Sequence, residues 1–189
     1  GNGYSEEWHA EAAKRGLPNV PNSVDGLACY TDEKNIQLFA RHNVLTPEET
    51  RSRLNIQFEA YCNSVAIESQ SALSIARTMI LPAAQKTQRD VAESIAAAKA
   101  LGLAIDRQAQ RLRDMTMRIE AFVQCIDELA AAFEQAEGHH GSEFEHAKVY
   151  RDAVIPAMAR LRVEADQLET MTDDDYWPLP KYRELLFLQ

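Results

Sequence analysis

Between Gly26 and Gly102 the sequence contains no glycine, and Pro47 and Pro82 are the only prolines in that interval. Those two residue types are the ones that end helices most reliably, so their scarcity permits a single helical run of unusual length. The start of that run is written into Thr46-Pro47-Glu48-Glu49. A threonine there can cap the first turn, a glutamate three residues later can reach back to it, and proline suits the first helical position. From Pro47 a helix of about 50 residues is allowed, roughly 80 Å at 1.5 Å per residue. Its apolar seam reads Phe58, Tyr61, Val65, Ala72, Ile75 and Met79, then shifts to Ile80, Ala84, Val91, Ala98 and Leu101 beside Pro82. The shift predicts a kink or break near residues 78–82.

The rest of the chain supports the same fold class. Among 189 residues there are 28 alanines but only 7 glycines, 7 prolines and 7% aromatic residues, a balance that favours helix over strand. Ser5 with Glu6 and Glu7 starts a short helix over about 6–15 that Gly16 stops. Ser23 or Asp25 starts a brief turn, and Thr31-Asp32-Glu33 starts a further helix carrying Ile36, Leu38 and Phe39 to His42-Asn43. After Gly102, a second long helix over about 105–136 presents Ile105, Ala109, Leu112, Thr116, Ile119, Val123, Ile126, Ala130 and Phe133 at alternating spacings of 4 and 3. That repeat is the pattern of coiled-coil-like packing, with Arg107, Arg111, Arg113, Arg118 and Glu120 mostly off the seam. Ser142 to Glu145 forms a second capping box. It opens a third helix to about Met171, with Phe144, Ala147, Val154, Met158, Leu161, Ala165 and Leu168 inward and Pro156 bending it. Loops this short make successive helices antiparallel, so the prediction is an all-α, elongated antiparallel bundle of long helices, kinked near Pro82 and Pro156 and preceded by short helices. The segment Thr172 to Pro180 cannot be regular helix, and the apolar Leu185-Leu186-Phe187-Leu188 is expected to dock on its own bundle or on a neighbouring subunit.

Charge excludes whole classes of partner. The net charge of −9 and pI near 5.1 set the chain against nucleic acid and anionic bilayers, and no apolar stretch approaches the roughly 20 residues of a membrane span. No basic-then-apolar leader precedes the first helix, so a soluble, cytoplasmic location is expected. Cys29, Cys62 and Cys125 are an odd number at long spacings, read as reduced and mostly buried small apolar residues.

Each candidate for chemistry has a blander reading that outweighs it. His139, His140 and His146 with Glu143 and Glu145 match no zinc-ligand spacing and read as a solvated loop. Asp173-Asp174-Asp175 lacks the spacing and glycine of a calcium loop. The arginines from Arg107 to Arg118 are interleaved with Asp106, Asp114 and Glu120, which reads as an ion-paired outer face. Cys62 and Cys125 lie in apolar helical surroundings with no partner base. No phosphate-cradling glycine loop, nucleophile elbow or zincin motif occurs, so the predicted set of catalytic, cofactor-binding and metal-binding residues in this chain is empty.

Two termini carry a resemblance. Gly1-Asn2-Gly3-Tyr4-Ser5-Glu6-Glu7-Trp8 with Lys14-Arg15-Gly16-Leu17-Pro18-Asn19 at the start, and Trp177-Pro178-Leu179-Pro180-Lys181-Tyr182-Arg183-Glu184-Leu185-Leu186-Phe187 at the end, resemble the C-terminal region of type III glutamine synthetases. Glu33 to Phe39, Val44-Leu45 with Glu48-Glu49, Tyr61-Cys62, Ile67-Glu68 and Ile80 to Ala84 are similar to the same family, whereas Ala28-Cys29-Tyr30 departs from its more aliphatic pattern. The resemblance implies a parent ligase that makes glutamine from glutamate and ammonia with ATP and Mg or Mn, assembled as a homo-oligomer of stacked hexameric rings. It implies that residues 1–65 end the catalytic domain and that residues 66–189 form a long-helix extension. The catalytic groups would then lie upstream, and the absence of an initiating Met fits that expectation. This region's role would be structural, oligomeric or regulatory. The alternative of another class is a stand-alone helical protein-interaction module.

Overall fold

The computed structural model describes residues 2–186, all of whose regular elements are helical. They are α1 (Glu6–Lys14), α2 (Ser23–Ala28), α3 (Glu33–Arg41), α4 (Pro47–Ile75), α5 (Leu81–Ala100), α6 (Asp106–Glu137), α7 (Glu143–Val149), α8 (Ile155–Glu169) and α9 (Tyr182–Leu186). They fall into two compact units: Gly1–Tyr61 with Ser142–Lys148, and Cys62–Gly141 with Val149–Gln189.

The first unit is built from short elements whose ends are set by local chemistry. The Ser5 side chain accepts from the Trp8 N–H, and Gly16, at φ +68°, turns the chain out of α1 in the left-handed region that glycine tolerates. For α2 the cap is Asn22, one residue before the predicted start, because its amide oxygen reaches the Asp25 N–H at 2.9 Å. At α4 the capping box forms in both directions: the Glu49 N–H donates to Thr46 Oγ1 at 3.2 Å and the Thr46 N–H donates to Glu49 Oε2 at 2.8 Å. These bonds hold the Glu49 carboxyl below the ordinary carboxylate range, the Thr46 backbone contributing most. The unit's interior is small. Val24, Ile36, Thr50, Leu54 and Phe58 are buried, and the Phe58 and Phe144 rings meet at 5.5 Å. Leu38, predicted inward on α3, is 52% exposed.

The second unit is a three-helix bundle of the α4–α5 segment, α6 and α8. Arg118 meets Glu164 and Arg160 meets Glu128, so α6 and α8 run antiparallel. Gln88 donates to Thr116 at 2.8 Å, while Ser69 on α4 reaches Met158 on α8. Ser69–Met158 and Thr87–Asp173 rise together along the chain, so the α4–α5 segment runs parallel to α8 and, since α8 opposes α6, antiparallel to α6. Because α6 packs on both neighbours, its fully buried residues are Met115, Ile119, Phe122, Ile126, Leu129 and Ala136. Of the predicted seam only Ile119 and Ile126 are among them; Leu112, Thr116, Val123, Ala130 and Phe133 are half-buried flanks of a wider face. On the third helix and the π turn before it, Tyr150 and Ala157 join the predicted Val154, Leu161, Ala165 and Leu168 in the core. Met79 and Leu101, predicted inward, are exposed.

Neither interior proline breaks its helix. A π turn over Ala76–Ile80 precedes Pro82 and another over Tyr150–Val154 precedes Pro156, each followed by one ordinary residue and then the proline. In each turn the N–H just before the proline bonds five residues back, Leu81 to Ala76 and Ile155 to Tyr150. The extra residue in the turn widens the helix where the ring would otherwise strike a carbonyl and where its missing N–H would leave a gap. The kink expected from sequence is thus resolved as one wide turn inside a continuous helical run. Of the apolar tail, Leu185 and Leu186 are exposed, and the predicted docking of Phe187 and Leu188 lies outside the described residues.

Candidate functional site

Among the described residues no group of three or more His, Cys, Asp or Glu side chains is placed to hold a metal. Of the histidines read from sequence as a solvated loop, His139 and His140 lie in the turn after α6 and His146 lies on α7; the His139 ring is so close over Gly141 that a β-carbon there would sit 2.6 Å from Nε2. Of the cysteines, Cys62 is buried and Cys125 half-buried, its thiol pushed up mainly by burial and secondarily by Glu128. Cys29 is exposed, against the expectation of burial, because it falls on the outer side of a 3-10 turn. No membrane-length apolar helix occurs among the described residues.

The arginine stripe separates into distinct roles. Arg118 is paired with Glu164 at 3.1 Å, and Arg113 donates to Gln110 at 2.7 Å. Arg111, by contrast, has no hydrogen bond or ion pair to any described residue and lines a cleft of about 490 Å³ in the second unit.

That cleft is walled by α5, by the beginning of α6 and by a strap, residues 171–176, that leaves the end of α8. The strap exists because the chain cannot stay helical through Asp173-Asp174-Asp175, and it turns back on itself with the Tyr176 and Trp177 N–H groups donating to the Asp173 carbonyl. It is fastened to α5 at two points: the Asp173 N–H donates to Thr87 Oγ1 at 3.0 Å, and the Tyr176 hydroxyl donates to Asp90 Oδ2 at 2.7 Å. Lys86 lies 5.9 Å over the Tyr176 ring and Trp177 is buried beside it in sequence. The Tyr176 bond, followed by that from Arg89, lowers the Asp90 pKa, and Asp90 in turn raises that of Tyr176. The three aspartates lie in the polar helix-ending loop read from sequence, and their carboxylates make local contacts. Asp174 pairs with Lys181, and Asp173 Oδ1 accepts from the Asp175 N–H.

A second cleft of about 320 Å³ in the same unit is apolar, walled by Ala76, Ile80, Phe122, Met158, Leu161 and Trp177. Sequence reasoning pointed at neither cleft, since each collects residues from three distant segments. The one local signal was the Asp-Tyr-Trp-Pro run, which marks the strap without showing what it closes on.

Residues 1–99 match the family described as the glutamine synthetase C-terminal domain. The chain is 35% identical to the type-3 glutamine synthetase of Dictyostelium discoideum over 196 aligned residues, which cover all of this chain and 26% of that protein. It is 33% identical to the glutamine synthetase of Bacteroides fragilis over 99% of this chain and 26% of the relative, and 33% identical to that of Butyrivibrio fibrisolvens over 99% and 27%. The chain thus spans about a quarter of the length of the relatives it matches.

Proposed function

The chain belongs to the glutamine synthetase C-terminal domain family, and from that premise we propose that it works as the C-terminal part of an ATP-dependent glutamate–ammonia ligase of type III. Its role there is structural, in assembly or in regulation, and the chemistry is carried by other parts of the enzyme. One observation carries this reading: the relatives align with all or nearly all of this chain, which makes up only 26% of their length. In the same proposal residues 1–65 close the catalytic domain and residues 66–189 form an extension that contacts other subunits of a cytoplasmic homo-oligomer of stacked hexameric rings. ATP and Mg or Mn belong to that parent enzyme. Among the described residues no group of three or more His, Cys, Asp or Glu side chains is placed for such a metal, and the sequence has no glycine-rich phosphate loop.

Two measurements test the reading. The isolated chain is expected to form no glutamine from glutamate, ammonia and ATP; turnover would overturn the placement of the chemistry elsewhere. Deleting residues 66–189 from a full-length enzyme is expected to change its sedimentation, and unchanged assembly would remove the oligomeric role.

A further inference from the structure

We propose that the apolar cleft of about 320 Å³ beside Trp177 binds a small neutral aromatic molecule that carries one hydrogen-bond acceptor. The cleft is built from the interior of the second unit. Ala76 and Ile80 of the π turn, Phe122 of α6, and Leu161 and Ala165 of α8 line it, and each is more than nine-tenths buried. Met158, a further wall, is held by the Ser69 hydroxyl, which donates to its sulfur at 3.4 Å. Trp177 completes the lining at 9% exposure, and its indole N–H is buried with no hydrogen-bond partner among the described residues. A buried donor left unpaired is costly, and folded proteins carry few of them. An acceptor on a molecule seated in the cleft removes that cost.

The walls decide the class of ligand. An apolar cavity of about 150 Å³ takes up benzene, so a cleft of about twice that volume has room for a substituted ring. Phe122 and Trp177 offer aromatic surfaces and Met158 a polarizable sulfur, which favour an aromatic occupant over an aliphatic one. Among the described residues that line the cleft, only Arg162 and Asp166 are charged, and they pair with each other at 2.6 Å. An ionised ligand therefore finds no free counter-charge to offset its loss of water. A molecule with several polar groups meets a single donor and leaves the rest unpaired, whereas one acceptor matches it. This inference goes beyond the reading of the chain as part of a ligase and does not depend on it.

The test uses the 189-residue chain itself and three probes of similar shape. They are acetophenone, α-methylstyrene, in which a methylene replaces the carbonyl oxygen, and benzoate, which carries a charge. NMR titration with either neutral probe is expected to give saturable shifts of the Ile80 and Met158 methyl signals. Only acetophenone should also move the Trp177 indole N–H signal downfield. Benzoate is expected to bind about tenfold more weakly than acetophenone, or worse. Trp177→Phe keeps a ring but removes the donor, and should weaken acetophenone about fivefold while leaving α-methylstyrene unchanged. Ala72→Phe, at a half-buried wall position, fills the cleft and should abolish uptake of both. An unchanged circular dichroism spectrum confirms that the bundle persists in each variant, and the comparison of the two neutral probes on the unsubstituted chain needs no variant. The proposal is overturned by absence of saturable shifts up to about 20 mM acetophenone, by an indole N–H that moves equally with both neutral probes, by equal binding of benzoate, or by uptake that survives Ala72→Phe. Nuclear Overhauser contacts from Phe187 or Leu188 to Phe122 in the ligand-free chain would give the cleft to the chain's own tail and overturn it equally.

Discussion

The two units of this molecule spend their apolar residues differently. In the second, the side chains of α6 and α8 close on one another: Phe122, Leu129, Val154 and Leu168 are all fully enclosed. In the first, α1 buries no residue, α2 only Val24 and α3 only Ile36, while Tyr4, Leu17, Val20, Leu38 and Val44 are exposed. Exposed apolar residues are ordinary one at a time, but a set of short helices with hardly any interior has little free energy to offset its own ordering. The bundle encloses its apolar side chains in its own contacts, whereas α1–α3 enclose only Val24 and Ile36 among theirs. Each unit also carries one tryptophan, Trp8 in the first and Trp177 in the second, so single-tryptophan versions of the chain report on each unit separately.

The largest expected effect lies in the bundle. Phe122→Ala removes a ring with no solvent exposure from the bundle core and should cost about 3–5 kcal/mol. Urea unfolding followed through Trp177 should show it as a lower midpoint with little change in slope. If the Trp8 signal moves by the same amount, the two units unfold as one and the comparison fails; if it stays, the comparison is sharpened.

A smaller effect is expected at the start of α4. Thr46→Ala removes half of the capping box and should cost about 1 kcal/mol, read through Trp8. The same box gives a sign for pH. Glu49 is held below its ordinary value in the folded chain, so its contribution is present above the unfolded-state pKa and is lost as pH falls through the folded one. Glu49→Gln should therefore flatten the acid side of the Trp8 transition, and an unchanged acid profile would show that the box adds nothing to the first unit's stability.

How much of this was readable beforehand follows from the range of the forces involved. Capping at Ser5, Thr46 and Ser142 depends on residues three apart, and each of the three side chains caps its helix, though at Ser142 only the Glu145 N–H half of the expected box forms. The seam of α6 was read as a coiled-coil-like stripe, but a helix packed on two neighbours buries a broader face, which brings in Met115, Phe122 and Leu129. Pro82 and Pro156 announced a distortion without saying which kind, because proline forbids the regular bond and leaves a kink, a break or a π turn as ways to lose it. The cleft was invisible in the sequence for a further reason. Ser94, Arg111 and Asp173 come together only through the packing of α5 on α6 and the return of the strap, and no local pattern encodes that.

The smallest expected effect bears hardest on the first unit. Leu38 is 52% exposed on α3, so Leu38→Ala in the isolated chain should change stability by no more than about 0.5 kcal/mol. The same substitution in a full-length enzyme should behave otherwise if α1–α3 close a larger domain. A leucine then covered by that domain would lose about 2 kcal/mol or more of apolar burial and packing. Measuring thermal unfolding of both forms with and without L38A separates the two cases. A loss confined to the long form places the missing interior of α1–α3 in the remainder of the enzyme. Equal, negligible changes in both would mean that this face of α3 stays open to solvent, and the apolar surface of the first unit would have to be explained by something other than a larger domain.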